Sequence, residues 1–232
     1  MPRQGSKKAE SLAAELERCI VQRGWPIGES LGSEAELIDR YGVSRAVLRE
    51  AIRIAEHHGA VRMRAGVKGG LIVTAPDAAS VRRPATLFLD HADVTPENLL
   101  EVRAAIELSC VRLASERISP DSATRIRSVL ERERRLQFES IETGQAHDFH
   151  VLLAELTGNA AMRLFVEILT GLTYERSGRA QIDSASLEQM HAAHEAIAKA
   201  VISGNAELAE RRMAKHLAAI ARYYIRHGDG SN

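Results

Sequence analysis

Two helix starts, eleven residues apart and separated by a tyrosine-glycine break, constrain this chain more than any other feature. Ser33 followed by Glu36 has the form of a capping box, in which a hydroxyl and a carboxylate satisfy each other's orphaned backbone amides. The helix it opens runs to about Arg40, and Tyr41-Gly42 breaks it. Ser44 caps the next helix, where Leu48, Ala51, Ile52 and Ala55 recur at i, i+3, i+4 and i+7 and make one face apolar as far as about His58. Arg45, Arg49 and Arg53 fall on the opposite face. An amphipathic helix precedes the pair, with Leu12, Leu16, Cys19 and Ile20 at helical spacing and Gly24-Trp25-Pro26 as its stop. Beyond the pair, Val61 to Arg64 alternates apolar and basic residues, a glycine-rich loop spans 65–70, and Leu71-Ile72-Val73 supplies a second strand. Three helices closed by a hairpin wing spell a winged helix-turn-helix.

The remainder reads differently. Residues 76–95 carry prolines, small residues and the short apolar run Leu87-Phe88-Leu89, which predicts a linker with one short helix, and Thr95-Pro96 is a good helix start. From Pro96 onward nothing reads as strand. Amphipathic segments are separated by breaks near Ser119-Pro120, Gly144, Gly158-Asn159, 178–184 and Gly204-Asn205. Leu99, Val102, Ile106, Cys110 and Leu113 stripe the first of them; Leu187, Met190, Ile197 and Val201 the fifth; Met213, Leu217, Ile220 and Tyr224 the last. The fold class expected is mainly α: a winged helix-turn-helix over 1–75, a linker over 76–95, an all-α bundle over 96–228 and a short tail.

Composition narrows the classes. At 232 residues and 45% hydrophobic content the chain can bury two modest cores. No apolar run approaches the roughly 18 residues of a membrane span, and the start lacks a signal-peptide core, so a cytoplasmic protein is expected. A formal net charge of +0 argues against non-specific coating of nucleic acid, although residues 1–74 carry 12 basic against 9 acidic side chains and the remainder 19 against 22. Single-strand readers present stacking aromatics, and one tryptophan with 4% aromatic content does not supply them. Cys19 and Cys110 read as free, buried thiols.

A winged helix-turn-helix places its third helix in the major groove, where an arginine fork can bridge O6 and N7 of guanine. The residues carrying it, Gly28-Glu29-Ser30-Leu31-Gly32-Ser33-Glu34-Ala35-Glu36-Leu37 and Gly42-Val43-Ser44-Arg45-Ala46-Val47-Leu48-Arg49-Glu50-Ala51, resemble the GntR family of bacterial regulators. The resemblance implies DNA contacts from Ser33, Ser44, Arg45, Ala46 and Arg49, with wing contacts at Gly66 and Lys68. It also implies a homodimer on a palindromic double-stranded operator. One departure stands out, because the position after Ser-Glu is often a DNA-contacting arginine in relatives and is Ala35 here.

The second half is rich in histidine: His147 and His150, His191 and His194, and His216. Imidazoles converging inside a bundle can make a divalent-metal site, and each taken alone reads as a hydrogen-bonded core or surface residue. Leu100-Glu101-Val102-Arg103 with Glu107, then Phe149-His150, Gly158-Asn159, His194-Glu195-Ala196-Ile197 and His216-Leu217, resemble the ligand-binding FCD domain of the FadR subfamily. Many members hold a divalent metal such as zinc with one Asp and three His. The histidines matching that pattern are His150, His194 and His216, while Ala146 stands where the Asp belongs. Asp148 cannot replace it, since two residues along a helix turn it roughly 200° from His150. Two alternatives stay open: a three-histidine site completed by water or an effector carboxylate, and a metal-free pocket, since some members of the subfamily bind no metal. Arg103, beside an apolar stripe, suits either a bidentate grip on an organic-acid effector or an ion pair with an acidic residue on a facing helix, with Asn159 as a second effector residue or a turn cap. The function expected is a DNA-binding regulator, a repressor with activation kept as the exception, controlled by a carboxylate metabolite with or without a divalent metal. The alternative is a metal-dependent hydrolase using the same three histidines, which lacks an accompanying base or nucleophile motif.

Overall fold

The computed structural model describes residues 4–66, 69–136, 148–176 and 184–227. The chain divides into two compact units, 1–81 and 82–232.

In the first unit, α1 (Gln4–Gln22), α2 (Glu34–Tyr41) and α3 (Arg45–His57) precede the antiparallel pair β1 (Val61–Arg64) and β2 (Gly70–Val73). The helix ends follow from local chemistry. The Ser33 hydroxyl accepts from the Glu36 amide at 3.3 Å while the Glu36 carboxylate accepts from the Ser33 amide at 2.7 Å, and Gly42 closes α2 in the left-handed region at φ 59°. Ser44 caps α3 through the Val47 amide. Leu12, Leu16 and Ile20 of α1 pack with Leu37, Leu48, Ala51, Ile52 and Ala55, and Val61, Leu71 and Val73 of the hairpin close the core. Each large aliphatic side chain buried there contributes about 1.5–3 kcal/mol.

The wing is stitched to the segment before α2. The Leu31 amide donates to Leu71 O at 2.7 Å, the Leu71 amide to Gly32 O at 2.9 Å and the Val73 amide to Glu29 O at 2.9 Å. Gly70, at φ 139°, lies so close that a Cβ there would sit 2.7 Å from Gly32 O, so only glycine fits. The Trp25 indole donates to Thr74 O at 2.8 Å and pins the far end of the hairpin to the turn after α1.

The boundary between units falls within α4 (Ala78–His91), a fourteen-residue helix with Pro84 inside it, longer than the apolar run at 87–89 implies. The second unit continues with α5 (Pro96–Glu116), α6 (Pro120–Leu136), α7 (Asp148–Leu156), α8 (Ala160–Arg176), α9 (Ser184–Ile202) and α10 (Ala206–His227). The helix breaks fall at Ser119-Pro120, Gly158-Asn159 and Gly204-Asn205 as their chemistry dictates. The break read near Gly144 and most of 178–184 lie outside the described residues. Thr95 opens α5 with a hydroxyl cap on the Asn98 amide. α5 is the central helix, packed against α7, α8, α9 and α10. Val111, Ile126, Phe149, Leu153, Ile197, Val201, Met213 and Leu217 form the core of the bundle. The side chain of Tyr224 lies outside the described set.

One stripe needs correction. Val102 is 51% exposed, and the buried face of α5 is Leu99, Leu100, Arg103, Glu107, Cys110, Val111 and Ala114. A periodicity argument passes over Arg103 and Glu107 because they are charged, yet each is 1% exposed, and their mutual pairing makes burial tolerable.

Candidate metal and effector site with a DNA-facing helix

Five helices bring a polar cluster into the core of the second unit: Arg103 and Glu107 from α5, Glu133 from α6, His150 from α7, His191 and His194 from α9, and His216 from α10. The Nε2 atoms of His194 and His216 are 3.0 Å apart, and those of His216 and His150 are 3.3 Å apart. All three rings are buried, and His150 stacks on His216 with centroids 5.2 Å apart.

The opposite edges of two of these rings are held by carboxylates. Glu107 receives His150 Nδ1, and its other oxygen receives Arg103 Nε at 2.5 Å. Glu133 takes His194 Nδ1 at 2.8 and 3.0 Å and His191 Nδ1 at 3.3 Å. A neutral imidazole whose Nδ1–H is donated to a carboxylate presents a lone pair at Nε2. His150 and His194 therefore aim lone pairs at the region where His216 Nε2 also sits. A single Nε2–H on His216 satisfies at most one of them well.

A divalent cation resolves that conflict. A tetrahedral metal with bonds of about 2.1 Å separates its nitrogen ligands by about 3.4 Å, close to the spacing seen, so the donor set fits a His₃ site with an open position. Burial lowers the pKa of all three imidazoles, that of His194 to about 3, which keeps them in the neutral, ligating form. Burial also pushes Glu133 up to about 7, whereas for Glu107 burial is outweighed by the Arg103 charge and by the hydrogen bonds from His150 and Arg103, which hold the carboxyl well below its usual range. Phe149 stacks on His194 at 4.4 Å and fixes its plane.

Of the sequence-predicted residues, His150, His194 and His216 come together, with Arg103 close enough for its charge to depress all three histidines. Arg103 finds its acidic partner one turn along its own helix. Ala146 and His147 lie outside the described residues, and Asp148 is turned to Arg132 at 3.4 Å. Asn159 is exposed and caps α8 through the Ala161 amide at 3.0 Å; its carboxamide makes no hydrogen bond to the histidine cluster among the described residues. Glu133 is the residue that sequence reasoning missed. It lies in the charged run Glu131-Arg132-Glu133-Arg134-Arg135, where nothing local separates it from its solvated neighbours.

Cys110 lies near this cluster, and burial, then the Glu107 charge, push its thiol up to about 12. A thiol reagent at pH 8 is expected to leave Cys110 unmodified in the folded protein and to label it only after denaturation. Labelling of both cysteines without denaturant would contradict the packing of α5.

On the first unit, α3 presents Arg45, Ala46 and Arg49 to solvent, and Ser33 and Ser44 start the two helices with their hydroxyls engaged as caps. Gly66 sits at the exposed wing tip, where the Gly69 amide donates to its carbonyl at 2.7 Å, and Lys68 lies outside the described residues. Glu34 Oε1 contacts Arg49 Nε at 3.0 Å and Arg45 Nε at 3.5 Å.

A two-unit chain with a basic, exposed third helix and a hairpin wing, followed by a helical bundle built around a buried polar cluster, is the architecture of a DNA-binding regulator with a sensing domain. Residues 8–68 match the bacterial regulatory proteins of the gntR family and residues 98–219 match the FCD domain, and the chain belongs to the GntR family with a C-terminal FCD domain. It is 29% identical to the Uxu operon regulator of Haemophilus influenzae, over 87% of this chain and 76% of that one. It is 28% identical to the Exu regulon transcriptional regulator of Escherichia coli K12, over 90% and 81%. It is 27% identical to the HTH-type transcriptional repressor NanR of Escherichia coli K12, over 97% and 88%. The solved Streptococcus agalactiae GntR shares the fold at a TM-score of 0.70 and 24% identity, over 92% of this chain and 99% of that one. These are transcription regulators, so the hydrolase alternative falls, and the chain is a DNA-binding transcription regulator. Among the described residues no helix is long and apolar enough to cross a membrane.

Proposed function

We propose that this regulator is a cytoplasmic repressor, a homodimer on a palindromic operator, whose DNA affinity is set by a small carboxylate metabolite bound on a divalent metal in the FCD domain. One observation carries the reading: three buried Nε2 lone-pair sites converge beside a buried arginine. Arg103 gives its Nε to Glu107. His150, His194 and His216 would hold the metal, which supplies a Lewis-acidic position for an oxyanion. Arg103 would take the second oxygen or a neighbouring carboxylate, as a planar fork does best. The repressor sign is supported by the relative named as a repressor.

The DNA contacts in this reading are Arg45 and Arg49 in the major groove, with Ser33, Ser44 and Ala46 at the helix starts and Gly66 and Lys68 in the wing. The test begins with a duplex selected from a random library by the full chain. Metal-loaded protein on that duplex is then titrated with a panel of mono-, di- and hydroxy-carboxylates. At least one should weaken the complex about tenfold or more, the scale of an ordinary allosteric coupling. The effect should vanish after chelation and in Arg103→Met. A metal-loaded protein indifferent to the whole panel overturns the effector reading.

A further inference from the structure

The outer face of α3 carries three arginines, and the structure treats them differently. Arg53 is taken up by Glu50 on its own helix, through Nε at 3.1 Å and Nη2 at 2.7 Å, so its side edge is closed by a two-point pair. Arg45 and Arg49 share a single carboxylate oxygen, Glu34 Oε1, and both reach it through Nε. Their side chains stay 71% and 67% exposed.

The consequence is geometric. A guanidinium offers two forks: a side edge made of Nε and one Nη, and an end made of both Nη nitrogens. Arg49 Nε is hydrogen-bonded to Glu34, while Arg45 Nε lies beside the same oxygen as an ion pair, so the side edge of each faces the carboxylate and the end fork is the edge left for DNA. That fork matches the O6 and N7 acceptors of guanine. The shared oxygen also reduces the charge of the arginine pair from two to one, which weakens attraction to any phosphate more than it weakens a directed bond to a neutral base edge. Glu34 is itself well placed for this task. It is the first residue of α2, immediately after the Ser33 cap, where the positive helix end favours a carboxylate, and the capping box fixes where that turn begins. An exposed ion pair contributes little to stability, so the contact acts through orientation.

We propose that Glu34 is a positioning residue for DNA readout, holding Arg45 and Arg49 by Nε so that both present end forks to guanine and discriminate against non-specific phosphate contact. The proposal rests on the reading of α3 as the recognition helix.

The test uses the full chain, a duplex selected by the wild-type protein from a random library, and a scrambled duplex of the same composition. In Glu34→Gln the ratio of selected to scrambled affinity should fall about tenfold. Scrambled-duplex binding should tighten, with a salt dependence steeper by about one phosphate contact. Both changes should disappear when Glu34→Gln is made in an Arg45→Ala/Arg49→Ala background. A wild-type ratio and slope in Glu34→Gln, while Arg49→Ala still loses the selected duplex, overturns the proposal and leaves the recognition helix standing. A loss of discrimination that persists equally in the arginine-free background also overturns it, because Glu34 would then act on the fold. Indifference of Arg45→Ala and Arg49→Ala to the selected duplex overturns the recognition-helix reading and this proposal together.

Discussion

Replacing His194 with alanine is expected to take zinc from near one atom per chain to near none, measured by metal analysis of protein purified without chelator. His194 Nε2 is 3.0 Å from that of His216, and its Nδ1 is fixed by Glu133, so the substitution removes both a ligand and the group through which a buried carboxylate acts on the site. Even an outer partner is worth about 10–100-fold in metal affinity, and a direct ligand should exceed that. Glu133→Gln provides the graded comparison: it leaves all three nitrogens in place and should weaken zinc by about 10–100-fold without abolishing binding. That carboxylate matters because Ala146 stands where the resemblance to FCD domains places an anionic ligand. Stoichiometric metal retained in His194→Ala would show that the ion sits elsewhere. A metal-free wild type would leave a purely organic pocket around Arg103.

Arg49→Ala is expected to reduce affinity for the selected duplex by about 1–3 kcal/mol, or roughly 5- to 150-fold, with Arg45→Ala in the same range. Both side chains are largely exposed and pack on no core, so the thermal midpoint should stay near that of the wild type. Binding titrations on a selected and a scrambled duplex at several salt concentrations separate the causes. A base-reading arginine loses discrimination, whereas a phosphate-binding one loses affinity evenly and flattens the salt slope by about one. Leu48→Ala marks the contrast: Leu48 is fully buried on the inner face of α3, and its loss should cost about 2–5 kcal/mol of stability. Unchanged affinity in both arginine variants would sink the assignment of α3 as the recognition helix.

The first unit was legible because its signals are local. Ser33 with Glu36, Ser44 and Gly42 act within four residues of themselves, and the hairpin follows from alternation around glycines. The second unit was legible in outline, since Thr95, Pro120, Gly158 and Gly204 mark helix ends by the same short-range chemistry. The inner face of α5 was not. Apolar periodicity selects Val102 over Arg103, and no local rule shows that Glu107 will offset the cost of burying a guanidinium while also holding His150. The histidines were found by their placement along the bundle helices and by resemblance, but the Glu133 partner only by convergence: Glu133 and His194 are 61 residues apart in the chain.

The bonding of residues 28–32 along β2 has a consequence for what kind of operator this unit can tolerate. Because residues 28–32, which lead into α2, are hydrogen-bonded along β2, the wing and the helix pair are cut like teeth on one key, their separation set before any DNA arrives. Such a key accepts or rejects letters at its fixed notches, and a half-site with one base pair inserted between the groove and wing positions should be refused as firmly as one with the wrong bases.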